Sequence, residues 1–361
     1  MTHAARAYLN IDALRHNLHR ARSAAPRAKI LAVVKANGYG HDMVRIAKAL
    51  QDVDGFGVAC LEEAIALRNA GITARILLLQ GFTHADELPL LVQHRLESVV
   101  HHAQQIALLQ AAKGLSPIAV WLKVNTGMNR LGFAAANARH AWRQLNEIAA
   151  VQKPLNLLTH FANADVRQDP FTARQLAEFL ALFDGFPGAR CIANSGGILG
   201  WPQSHLDWVR PGIMLYGVSP FGDATGAELG LKPVMTLTAN VVAVNDVRNG
   251  DSIGYSGIYR APRDMRVAVI GIGYGDGYPR HATTGTPVLI DGRRAPLVGR
   301  VSMDMIMVDV TDLPEVALGA TAILWGHGLP IEEIAQHANT IAYELLCKVT
   351  RRVQFIETGH G

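Results

Sequence analysis

The chain is poor in several things that would point elsewhere. It holds three cysteines, Cys60, Cys191 and Cys347, in 361 residues. An odd, widely spaced set without a Cys-x-x-Cys argues against a disulfide framework or a zinc site, and no metal is expected. No run of about 18 apolar residues is present, so no membrane span is expected. The N-terminal stretch MTHAARAYLNIDALRHNLHR lacks the apolar core of a secretory signal, and a cytoplasmic location follows as the default. Charge is sparse at 18% of residues and formally sums to +4, yet Lys and Arg are scattered. Without a basic run interleaved with aromatics, nucleic acid is not the expected partner, and a small anionic ligand suits the balance better.

What is present is apolar: 49% of residues, enough for a sizeable core and against disorder. At roughly 100–200 residues per domain, the length suggests two domains, or a large barrel with a smaller unit. Eight short Val/Ile/Leu-rich runs punctuate the first two-thirds of the chain. They are KILAVVK (29–35), DGFGVAC (54–60), RILLLQG (75–81), LESVV (96–100), IAVWLKV (118–124), LNLLTHF (155–161), RCIAN (190–194) and DWVRPGI (207–213). Runs of that kind mark parallel strands buried on both faces. Helical spacing fills the gaps, as in HDMVRIAKALQ (41–51), LEEAIALRNAG (61–71) and TARQLAEFLALF (172–183). This alternation predicts an α/β fold with a (β/α)8 barrel, a six-strand doubly wound sheet being the alternative. Near Leu231 the pattern changes to alternating Val, Ile and Thr between Gly, Asp-Gly and Pro turns, which predicts antiparallel β structure. The expected domains are 1–231 and 232–361.

Barrel enzymes carry their chemistry at the C-terminal ends of the strands. Lys35 ends the first run. A partly desolvated lysine there suits Schiff-base chemistry, although most strand-end lysines are solvated surface charges. Tyr39 follows between Gly38 and Gly40. Lys123 lies on the fifth run, ahead of Arg130; His160 ends the sixth; Ser195 with Gly196 and Gly197 follows the seventh; Arg210 and Gly212 lie on the eighth. Ser195 and its glycines could present backbone amides to a phosphate, at the place where barrels often bind one.

The segment AVVKANGYGH around Lys35 resembles the pyridoxal-phosphate (PLP) attachment motif of alanine racemases. The resemblance continues in order through VNTGMNRLGF, THFANAD, ANSGG, VRPGIMLYG, IGYSGIY, GIGYGDGYPR, GRVSMDM and YELLC. It covers nearly the whole chain. It implies a PLP-binding barrel, a following β domain, and a homodimer whose active sites lie between the barrel of one chain and the β domain of the other. It implies PLP-dependent interconversion of L- and D-alanine, which would supply or consume D-alanine for peptidoglycan. A relative of broader substrate range is the alternative.

Residue by residue, Lys35 matches the Schiff-base lysine and Tyr255 the tyrosine lent by the second chain. Tyr39, Ser195, Gly212 and Ile213 match phosphate-binding positions, and Arg210 the arginine facing the pyridine nitrogen. Arg130 and the backbone of Met303 match groups on the substrate carboxylate, and Tyr274 a tyrosine that narrows the entrance. His160 matches a histidine that supports the phenolate of Tyr255, and Lys123 a lysine that can carry a carbamate orienting Arg130. In four places the chain departs from the usual pattern: Ser302 in place of Cys, Asp42 after His41, Cys191 where some members have His, and Arg351 where some place a phosphate-binding tyrosine.

Overall fold

The computed structural model describes residues 5–182 and 184–359. It divides into two compact units, one of Leu18–Leu215 with Pro220–Asp223, the other of the remaining N-terminal, 216–219 and C-terminal segments.

The first unit is the barrel. β1 (Arg6–Asn10) precedes it in the chain and belongs to the second unit; the strands that follow are β2 (Lys29–Val33), β3 (Gly55–Val58), β4 (Arg75–Leu78), β5 (Glu97–Val100), β6 (Val120–Asn125), β7 (Phe133–Ala134), β8 (Asn156–Leu158), β9 (Arg190–Cys191) and β10 (Trp208–Val209). Hydrogen-bonded neighbours run β5-β4-β3-β2-β10-β9-β8-β6, and β5 pairs again with β6 to close the ring. All these pairings are parallel. Each of the eight expected apolar runs supplies one barrel strand, and β3 and β5 are buried at every position.

Inside, Leu31, Leu77, Val99, Trp121, Leu158, Cys191 and Trp208 form one buried cluster. Each fully buried large side chain of this kind contributes roughly 1.5–3 kcal/mol. Trp121 and Trp208 meet edge to face with ring centroids 5.9 Å apart. The one carboxylate buried beside them, that of Glu97, accepts from Nε1 of Trp121 at 2.7 Å and from Nε of Arg75. The interior is therefore a packed core with its polar group paired, as a low-polarity site demands.

The strands are shorter than their apolar runs. The first run was expected to stay extended to Lys35, but β2 stops at Val33 and Lys35 begins a tight turn. The residues beyond the strand ends still bond across the barrel rim: Val34 N to Gly57 O at 3.0 Å, Thr159 N to Cys191 O at 3.1 Å, Arg210 N to Ala193 O at 2.8 Å. They read as strand because they are buried and paired, although the chain is already turning into its loops. The helices form where expected, at Met43–Ala49, Leu61–Asn69 and Pro170–Leu182. Asp42 caps the first by accepting from Arg45 N at 3.2 Å. The expected end of the third helix, residue 183, lies outside the described residues, as do 1–4 and 360–361 of the two expected domains.

The second unit is mainly antiparallel. Its strands are β11 (Met235–Val247), β12 (Ser252–Ile253), β13 (Tyr259–Arg260), β14 (Met265–Ile270), β15 (Pro287–Ile290), β16 (Arg293–Pro296), β17 (Ile306–Asp309), β18 (Thr321–Trp325) and β19 (Gln354–Thr358). The long β11 organises it. Its first half pairs with β1 and β18, its second with β14, and an irregularity between Val241 and Ala243 lets the strand bend from one set to the other. Residues 6–10, given no element from sequence, form β1 here and pair antiparallel to β11 and parallel to β19. A second core of Ile253, Ala261, Met265, Val267 and Val298 lies in this unit. Among the described residues, no helix is long and apolar enough to cross a membrane.

Candidate active site

Lys35 is half-buried and opens the segment Lys35–Tyr39. Five consecutive residues after it have positive φ: Ala36 (54°), Asn37 (53°), Gly38 (65°), Tyr39 (51°) and Gly40 (78°). A left-handed turn of this length is costly for L-residues, about 1–2 kcal/mol at each non-glycine position. Such strain collects where geometry is under functional constraint. At Gly38 the low cost of φ > 0 is joined by a packing need, since a Cβ would lie 3.1 Å from the Cα of Met43.

The turn brings the Tyr39 side chain down into the barrel. Its hydroxyl faces the backbone of Gly212, where a Cβ would come within 2.6 Å of it. Ser195 Oγ accepts from the amides of Gly212 at 3.0 Å and Met214 at 3.3 Å. Ile213 lies between them and is buried. Two hydroxyls and a run of amides thus converge on one bare patch of backbone. This is a donor set for oxyanions, and Gly212 keeps it open.

Above β9 and β10 sits Arg210, only 4% exposed. Its Nη1 donates to Sγ of Cys191 at 2.9 Å. Its Nη2 donates to Thr159 O at 2.9 Å and Ile192 O at 3.3 Å, and stands 3.1 Å from Nδ1 of His160. Burial, and then the charges of Arg210, Lys123, Arg130 and Lys35, hold the His160 imidazole neutral, well below its ordinary pKa. Lys123, also buried, is pushed down to about 8, first by burial and then by Arg210, Arg130 and Lys35. Three cations therefore act on Lys123 and four on His160 at the barrel mouth, and every charge that shifts either group is positive. Such a field favours an anionic ligand and a lysine able to lose its proton near neutrality. Arg130 itself is exposed.

A layer not foreseen from sequence supports His160. Thr126 and Thr159 share a hydroxyl bond of 2.9 Å. The amide of Gln175 donates to Thr126 Oγ1 and to His160 O, both at 3.2 Å, and its Oε1 accepts from Ala162 N at 2.9 Å. Gln175 lies on the helix Pro170–Leu182, in a sequence context that reads as an ordinary polar helix position, so no motif could have singled it out.

The barrel unit thus gathers Lys35, Tyr39, Lys123, Arg130, His160, Ser195, Arg210, Gly212 and Ile213. The remaining candidates lie in the other unit. Tyr274 and Met303 come together there: Tyr274 N donates to Ser302 O at 3.0 Å and Gly275 N to Met303 O at 2.8 Å. Arg352, not foreseen, clamps this junction, its Nε 3.2 Å from the fully buried Asp276 and its Nη2 2.6 Å from Asp304. Tyr255 stands on a separate turn, Tyr255–Gly257, with 66% of its surface exposed. Ser256 beside it has φ of 64°. Of the departures noted in the sequence, Cys191 serves as an acceptor for Arg210, and Arg351 is exposed.

The chain is similar to known proteins over nearly its whole length. Residues 9–220 match the family model described as alanine racemase, N-terminal domain, and residues 234–357 match alanine racemase, C-terminal domain. An alanine racemase of Coxiella burnetii is 47% identical over 358 residues, 98% of each chain. A biosynthetic alanine racemase of Escherichia coli is 50% identical over 351 residues, 97% of this chain and 98% of the other. The crystal structure of a biosynthetic alanine racemase from Pseudomonas aeruginosa superposes with a TM-score of 0.96 at 47% identity, covering 99% of this chain and 100% of that one. With both halves matched over nearly their whole length, the chain belongs to the alanine racemase family.

Proposed function

We propose that the protein interconverts L- and D-alanine with PLP held on Lys35, in the cytoplasm, as a homodimer in which each active site joins one barrel (1–231) to the β domain (232–361) of the second copy. The reaction supplies or consumes D-alanine for peptidoglycan. One observation carries the cofactor reading: Lys35 shares the barrel mouth with the Tyr39–Ser195–Gly212 cradle and with buried Arg210. The cradle's hydroxyls and amides suit a phosphate, and the surrounding cations suit its charge.

PLP supplies an electron sink that makes the Cα–H bond of a bound amino acid labile. The chain's residues do the rest. Racemisation requires a proton to leave one face of Cα and return to the other, so two proton carriers must flank it. Lys35 would hold the cofactor and, as a free amine on one face of Cα, would take the proton of D-alanine. Tyr255, lent by the second copy, takes that of L-alanine from the other. A free phenol ionises only near pH ~10 and needs donors to act as a base near neutrality. Neutral His160, its Nδ1 turned to Arg210, keeps an Nε2–H for that purpose. Arg130 and the backbone of Met303 bind the substrate carboxylate, and Lys123 matches a lysine that can carry a carbamate orienting Arg130. Tyr274 narrows the entrance.

The test is direct. Purified protein with PLP should show a visible absorption band that borohydride removes, with the reduced cofactor recovered on the peptide of Lys35. Tyr255→Phe should keep the band and lose about 10²–10⁴-fold in racemisation of alanine. A colourless protein that PLP cannot reconstitute would sink the proposal. Comparable turnover of serine, lysine or arginine would select the broader-specificity alternative.

A further inference from the structure

The turn that carries Lys35 is restrained from within and from outside. The internal restraints are Gly38 N to Val34 O at 2.8 Å, Gly40 N to Ala36 O at 3.0 Å, Met43 N to Asn37 Oδ1 at 3.1 Å, and His41 Nδ1 to Tyr39 O at 2.8 Å. These are local, each closing a few residues. An external one comes from Glu63, at the head of the helix Leu61–Asn69 that follows β3. Its Oε1 accepts from Ala36 N at 2.7 Å, and its Oε2 accepts from Ala59 N at 2.7 Å.

The two bonds differ in what explains them. The bond to Ala59 is local and of the helix-capping kind: a glutamate in the first turn reaches back four residues to the amide just before the N-cap residue Cys60. Capping does not account for the bond to Ala36, 27 residues earlier and on a different strand-end loop. Ala36 N belongs to the peptide that joins Lys35 to Ala36. Holding that peptide plane sets ψ of Lys35, and so fixes how its Cα–Cβ bond leaves the backbone. The same amide opens the left-handed run, at a non-glycine residue whose conformation carries strain. A carboxylate suits the place because it can accept on both oxygens at once. A glutamine would have to present its NH2 to one of the two amides.

We propose that Glu63 is a positioning residue for the cofactor-bearing lysine: its carboxylate bridges the loops after β2 and β3 and locks the Lys35–Ala36 peptide, so that Lys35 is aimed before PLP arrives. This rests on the reading of Lys35 as the Schiff-base lysine. Glu63 touches neither substrate nor cofactor and acts only through the turn.

Glu63→Gln keeps the volume and removes one of the two acceptors; Glu63→Ala removes both. Two readouts are made on the full-length chain stripped of PLP. The first is hydrogen exchange at the Ala36 amide. The second is the rate at which added PLP forms a borohydride-trappable bond to Lys35. A hydrogen bond to a charged group is worth enough to change an equilibrium about 10–100-fold. Glu63→Ala should therefore speed Ala36 exchange and slow trapping by about that factor, at a melting temperature close to the parent's. Glu63→Gln, whose remaining oxygen can still accept from one amide, should depart from the parent no further than Glu63→Ala does. Exchange and trapping equal to the parent's in Glu63→Ala would overturn the proposal. So would slowing that only tracks the fraction of unfolded chain. Should Glu63→Ala fail to fold, Glu63→Leu, which fills the space without an acceptor, decides. If the parent itself traps no PLP on Lys35, the cofactor reading falls, while Ala36 exchange still reports on the lock.

Discussion

Nη2 of Arg210 lies 3.1 Å from Nδ1 of His160. A guanidinium can only donate, so this ring nitrogen must accept, and the proton of the neutral imidazole resides on Nε2. A guanidinium likewise does not release its proton within a protein. A cofactor ring nitrogen facing it would stay unprotonated, which limits how far the ring withdraws electrons. Arg210→Glu should therefore raise pyruvate formation from alanine relative to racemisation. Quantifying both products over many turnovers checks this; an unchanged ratio rules the idea out.

His41 is completely buried, and burial pushes its pKa down from 6.5 to about 4, opposed in part by its bonds to the carbonyls of Tyr39 and Gly38. The folded state keeps it neutral while the unfolded chain protonates it below pH ~6.5. Its contribution to stability is thus full above that value and is lost as pH falls toward about 4. The gap corresponds to about 3 kcal/mol. Denaturant unfolding at pH ~7.5 and ~4.5 should show a smaller acid loss for His41→Gln than for the parent. Parallel losses in the two proteins would contradict this.

Lys123 is pushed from 10.5 to about 8 by burial and by three neighbouring cations. Because the unfolded chain holds this proton more tightly, stability rises with pH between about 8 and 10.5, and near pH 7 the fold bears the full penalty. In bicarbonate-free buffer, Lys123→Met should stabilise the protein at pH 7, by up to about 3 kcal/mol. If Lys123 takes up a carbamate, bicarbonate should raise the melting temperature of the parent and leave the variant unmoved. The variant should also bind alanine more weakly through a less ordered Arg130. A destabilised variant, with bicarbonate without effect on either protein, would refute both parts.

A Cβ at Gly212 would lie 2.6 Å from the hydroxyl of buried Tyr39. Gly212→Ala should cost about 1–3 kcal/mol of stability and weaken PLP binding. Removing the opposing oxygen with Tyr39→Phe in the same chain should recover most of the stability but not the affinity, because the hydroxyl belongs to the proposed cradle. Calorimetry with a PLP titration measures both. A double variant no more stable than Gly212→Ala alone would show that the two groups do not meet.

Much of the barrel could be read in the chain because strands buried on both faces leave an unbroken apolar record, as at β3 and β5. Their ends were less legible. Val34, Thr159 and Arg210 read as strand because they are paired across the rim, although the chain is already turning there. The left-handed turn after Lys35 was marked by Gly38 and Gly40 and, more weakly, by Asn37, a residue type that tolerates positive φ; nothing in Ala36 or Tyr39 announces it. Gln175 and Glu63 were invisible as parts of the site, since a polar residue on a helix is ordinarily a solvated one.

The sequence by itself determined the alternation of barrel strands with helices, the change to antiparallel structure after it, and the candidate residues at the strand ends. Burial and turn formation are written locally, in residue type and period. Only the tertiary structure decided what those residues face. It paired residues 6–10 with β11 and β19, set Cys191 and Thr159 as acceptors for Arg210, and carried the Glu63 carboxylate to the amide beside Lys35. These bonds join segments far apart in the chain, and their geometry exists only once the barrel ring and the β sheet have closed.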